Sequence, residues 1–91
     1  MKYIVPIRII GSLSVGGVLV NVESPTEARR LAKAFVVRER HYDIGDIVAY
    51  KPEPVQKYMD DTLDGGDEET NALVRSIEPG TAEFVMWDDY L

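Results

Sequence analysis

From Tyr3 to Ile10 the chain alternates, with Tyr3, Val5, Ile7 and Ile9 on one side and Ile4, Pro6, Arg8 and Ile10 on the other. This is the pattern of a half-buried strand. Pro6 has no N–H to give to a ladder, which predicts an edge position or a bulge. Gly11 to Gly17 reads as a flexible loop closing a hairpin, and Val18, Val20 and Val22 as the buried face of a second strand. A helix follows over residues 24–40. Ser24 supplies its N-cap, Pro25 its first helical position and Glu27 the acid of a capping box. Ala28, Leu31, Ala32, Phe35 and Val36 then recur at helical spacing. That stripe should pack on the sheet and leave Arg29, Arg30, Lys33 and Arg40 on the outer flanks.

Beyond the helix, Ile47 to Tyr50 reads as a short strand ended by Pro52 and Pro54. Val55, Tyr58, Met59 and Leu63 fall at helical spacing with Gly65-Gly66 past them, predicting a short second helix. Ala72 to Glu78 alternates around Leu73, Arg75 and Ile77, Glu78-Pro79-Gly80-Thr81 suits a type II turn, and Ala82 to Trp87 alternates again. These patterns predict one α+β domain over residues 1–91. Its antiparallel sheet has about four main strands, with one long helix packed on one face and a short strand and short helix inserted before a C-terminal hairpin. A chain of 91 residues has material for one modest core.

Composition narrows the chemistry. A hydrophobic fraction of 45% and a charged fraction of 29% suit a folded globular chain and not a disordered one. With no cysteine, disulfides, thiolate metal sites and a cysteine nucleophile are excluded, which fits the reducing cytoplasm expected as its location. No apolar run approaches the roughly 20 residues of a membrane helix. The N-terminal segment, interrupted by Pro6 and Arg8, does not resemble a signal peptide. The net charge of −6 is unevenly divided: residues 1–51 hold eight basic and five acidic side chains, residues 52–91 two basic and eleven acidic. The two halves can therefore present a basic face and an acidic face.

Catalytic and metal-binding patterns are incomplete. His41 is the only histidine, and its place after the helix makes it a favourable C-terminal charge rather than a general base. Ser12 and Ser14 lack a nucleophile elbow, and Gly16-Gly17 lacks the pattern of a phosphate-binding loop. Asp60, Thr62, Asp64 and Gly65 fall where a calcium loop has its first ligands and glycine. The bidentate acid of such a loop would here be Asn71, and Asp67 stands where an apolar residue is usual. No catalytic residue, metal site or cofactor is expected, and so small a chain has little room for a substrate cleft.

Two surfaces remain as candidates for binding a larger partner. Asp60, Asp61, Asp64, Asp67, Glu68 and Glu69 gather six carboxylates in ten residues with no cation among them. At the C-terminal end of the expected short helix they oppose its dipole, a cost that a basic partner would relieve. Trp87, Asp88 and Asp89 extend that patch with an aromatic anchor. The alternative is direct nucleic-acid binding through Arg29, Arg30, Lys33 and Arg40 on the flank of helix 24–40.

The segment from Val18 to Ala32, including Glu23-Ser24-Pro25-Thr26-Glu27, resembles the strand-to-capped-helix unit of small phage proteins. Among these it looks most like the compact ββαββ anti-CRISPR inhibitors of type I surveillance complexes. Val74 to Glu78, a turn and an aromatic strand are similar to their closing hairpin, while residues 44–71 depart from the shortest versions by insertion. What the resemblance implies is a non-catalytic inhibitor in the host cytoplasm, without membrane attachment. It would bind a host defence ribonucleoprotein, through CRISPR effector subunits, and block engagement of target nucleic acid.

Overall fold

The computed structural model describes residues 1–55 and 68–89. Strands β1 (Lys2–Ile9) and β2 (Val15–Asn21) form an antiparallel hairpin with Tyr3 opposite Val20 and Val5 opposite Val18. Helix α1 (Pro25–Arg40) follows, then a single 3-10 turn (Ile44–Asp46) and the short strands β3 (Ile47–Ala49) and β4 (Glu53–Pro54). Helix α2 (Glu68–Ser76) and strand β5 (Ala82–Asp88) complete the described chain. All pairings are antiparallel, in the order β3-β1-β2-β5, with β4 also beside β1. This is the α+β sheet-and-helix architecture read from the sequence. Among the described residues no helix is long and apolar enough to cross a membrane.

Pro6 lies on an inner strand, not at an edge. Its carbonyl accepts the Tyr50 N–H at 2.9 Å, just where β3 has ended at Ala49 and β4 has not begun. The N–H that proline lacks points the same way, into this interruption, so no ladder bond is lost there.

Helix α1 forms as its signals dictate. The Ser24 side chain accepts the Glu27 N–H at 3.2 Å, and His41 closes the far end in the left-handed conformation with its N–H on Val37. Ala28, Ala32, Phe35 and Val36 are buried against Tyr3, Val5, Ile7, Ile9, Val18 and Val20, with Leu31 at the margin. Phe35 packs on Phe84 with ring centroids 4.7 Å apart.

The opposite face of the sheet corrects the sequence reading. Ala72 to Ser76 is helical, so there is no C-terminal hairpin, and β5 pairs with β2 instead. Leu73 and Val74 of α2, with Ile77 just past its end, cover Ile4, Leu19 and Val85. Seven residues alternating around Leu73, Arg75 and Ile77 also satisfy a helical period, and the uncovered apolar face decides between them. The type II turn is present: Gly80 has φ +80° and Thr81 N–H reaches the Glu78 carbonyl at 3.2 Å, but the turn joins α2 to β5. The expected helix around Tyr58, Met59 and Leu63 lies outside the described residues, and Val55 at its start is buried with Ile4 and Leu19.

Gly16 and Gly17 belong to β2 rather than to a loop. A Cβ on Gly16 would lie 2.4 Å from Cε3 of Trp87 and 2.7 Å from the Met86 carbonyl oxygen, so only glycine lets β5 approach here. A register shift between Gly17 and Val18 leaves Val85 unpaired, which turns both Phe84 and Trp87 toward α1 although they are three residues apart. Phe35→Ala should lower the unfolding free energy by about 3–5 kcal/mol in chemical denaturation, through loss of a buried ring. Gly16→Ala should cost about 1–3 kcal/mol by overpacking, part of it recovered in a double-mutant cycle with Trp87→Leu.

Candidate functional site

The periodicity that buries Ala28, Ala32, Phe35 and Val36 turns Arg29 and Arg30 outward, both exposed, with Lys33 half-buried one turn on. Together with Thr26 they line one shallow groove of about 270 Å³. Arg29 Nε–H donates to the Ala49 carbonyl at 3.2 Å, so this side chain is anchored on β3. Among the described residues the ion pairs involve only Arg38 with Glu39 and Arg40 with Asp89, so Arg29, Arg30 and Lys33 carry charge without an internal counter-ion. The arrangement suits an anionic ligand of several phosphates. Thr26 was missed as a lining residue; its place one turn before Arg29 and Arg30 was the available signal.

Arg40 belongs elsewhere. It lies three turns, about 16 Å, beyond Arg29 along α1. Its guanidinium stands 5.0 Å from the ring centroids of both Phe84 and Trp87 and 3.9 Å from the Asp89 carboxylate. Of the four cations read as one flank, the structure therefore brings together three.

The Trp87 end of the sheet is a clasp. Asp89 Oδ1 accepts from Ser14 Oγ at 2.8 Å and from Trp87 Nε1 at 2.7 Å. Ser14, only 2% exposed, also receives the hydroxyls of Ser12 at 3.0 Å and Tyr42 at 3.5 Å. The Ser14 and Trp87 hydrogen bonds, with a smaller contribution from Arg40, hold the Asp89 carboxyl below its ordinary value against the opposing effect of desolvation. A carboxylate so stabilised is a weaker base, which suits it to tying the β1–β2 loop to β5. Trp87 and Asp89, read as part of an acidic partner surface, are thus engaged internally, although Asp89 is exposed as Asp88 is.

Asp60, Asp61, Asp64 and Asp67 lie outside the described residues. Helix α2 begins at Glu68, so Glu69 lies in its first turn, where a carboxylate favours the dipole, and not at a C-terminus opposing it. The Glu69 charge therefore has a structural use. Among the described residues no group of three His, Asp or Glu side chains is placed to hold a metal ion.

Because the Asp89 carboxyl is lowered, its contribution to stability is present above the ordinary aspartate value of 3.8 and fades as pH falls through the folded-state value. The melting temperatures of wild type and Asp89→Asn should differ at about pH 6 and converge toward about pH 2.

No protein-family model, curated protein or solved structure matches this chain, so its function is argued from the geometry above.

Proposed function

We propose that the chain is a small non-catalytic nucleic-acid-binding domain that holds a phosphate backbone on Arg29, Arg30 and Lys33 of α1. The observation that carries this reading is one groove lined by three cations and the Thr26 hydroxyl, without an acidic partner among the described residues. Phosphate contacts need clustered cations and position the ligand without reading its sequence. The net charge of −6 opposes binding at long range, but salt screens charges separated by more than about 8–10 Å, and the basic residues dominate positions 1–51.

A second reading keeps the notion of an inhibitor of a host defence ribonucleoprotein of the anti-CRISPR type. Exposed Glu69, Glu78, Glu83 and Asp88 favour it, since a cationic groove on such a complex would accept them.

The purified protein should bind labelled duplex DNA or single-stranded RNA. With three phosphates neutralised on duplex DNA, affinity should fall about 40-fold between about 50 and about 200 mM salt. Arg29→Glu, Arg30→Glu and Lys33→Glu together should abolish binding while leaving the melting temperature nearly unchanged. Failure of the wild type to bind, or equal binding by the triple variant, would overturn the nucleic-acid reading. Capture of a ribonucleoprotein from host lysate that survives the triple substitution would favour the inhibitor.

A further inference from the structure

Strand β5 pairs with β2 along one edge only, and among the described residues no strand pairs with its other edge. Thr81 directs its carbonyl inward to the Asn21 N–H at 3.2 Å. Ala82, the next residue, therefore directs its own N–H and carbonyl outward, as alternation along an antiparallel strand requires. A groove of about 410 Å³ runs beside this edge, between the Gly80–Glu83 stretch and the second half of α1. Leu31, Ala34, Phe35 and Ala82 give it an apolar lining, and Arg38 and Glu39 stand among its walls. A strand laid along β5 would send alternate side chains into this groove and the others to the far face, beside Glu83 and Val85.

Charge and register identify what fits. A symmetric pairing of two copies that keeps Phe84 and Trp87 on the α1 side sets Phe84 opposite Trp87 and Glu83 of each copy opposite Asp88 of the other. That places two pairs of like charges directly across the interface, which disfavours self-association. The Val85 bulge prevents other symmetric registers from matching inner face to inner face along the whole strand. The exposed acids Glu78, Glu83 and Asp88 instead complement a cationic strand.

We infer that the outer edge of β5 is a docking site for an extended segment of a partner protein, added as an antiparallel or parallel strand. This segment carries Lys or Arg opposite Glu83 and small apolar side chains directed into the groove between β5 and α1. Main-chain bonds to the edge supply affinity, and the groove and the acids select the sequence. The surface is separate from the Arg29, Arg30 and Lys33 groove, so the two readings stand or fall independently.

The test uses the full chain and an alternating lysine–valine hexapeptide, with a glutamate–valine hexapeptide as control. In the free protein the Ala82 amide should exchange with solvent far faster than the amides of β2. Titration followed by NMR should perturb residues 80–84 and the groove side of α1, and slow exchange at Ala82. Glu83→Lys, an exposed substitution that leaves the fold intact, should weaken the lysine–valine peptide at least about tenfold. Ala82→Pro, which removes the outward N–H, should weaken it further, whereas the triple glutamate variant of α1 should bind the peptide like wild type. Equal binding of both peptides, no effect of Glu83→Lys, or an Ala82 amide already protected in the free protein would overturn the proposal. So would a concentration-dependent dimer dispersed by Ala82→Pro.

Discussion

Val18, Leu19 and Val20 are all fully buried, although successive residues of a strand point to opposite sides of the sheet. Tyr3, Ile4 and Val5 on β1 are likewise all buried. The β1–β2 pair is therefore a two-sided apolar slab, and everything attached to it has to cover one face or the other. Helix α1 covers the face of Val5, Val18 and Val20, while Val55, Ile77 and the apolar side of α2 cover Ile4 and Leu19. Leaving either face in water would forfeit roughly 25 cal/mol for each Å² of apolar surface exposed, several kcal/mol for two or three large side chains. That outweighs the local preference of a nine-residue segment for strand or helix.

The edge of the slab is finished by aromatic packing that depends on a missing methyl group. With no Cβ at Gly16, Trp87 lies directly on β2, and the bulge at Val85 turns it to the same side as Phe84. Phe35, Phe84 and Trp87 then form a chain of ring contacts with centroids 4.7 and 5.3 Å apart, capped by Arg40. Asp89 holds the last link through Trp87 Nε1 and Ser14. The consequence is a sorting of charge: Arg40 and Asp89 are used within the fold, while Arg29, Arg30, Glu83 and Asp88 are exposed and Lys33 is half-buried.

Elements whose signals are complete within a few residues were determined by the sequence alone. Helix α1 is one, since Ser24, Pro25 and the Ala28, Ala32, Phe35, Val36 stripe state its start, its face and hence the outward position of Arg29, Arg30 and Lys33. The short strand at Ile47 and the turn at Gly80 are others; the alternation of β1 marked a strand but read it as half-buried, whereas Ile4 on its second face is buried too, under Val55 and Ile77. Tertiary structure decided the rest, because the deciding partner is distant in sequence. Ala72 to Ser76 is a helix owing to Ile4 and Leu19; Gly16 is in a strand owing to Trp87; Pro6 is tolerated inside the sheet owing to the gap between β3 and β4. Arg40 left the basic flank for Phe84, Trp87 and Asp89, contacts that no periodicity within α1 encodes. Short segments satisfy more than one period, and only the apolar surface they meet in the folded chain selects between them.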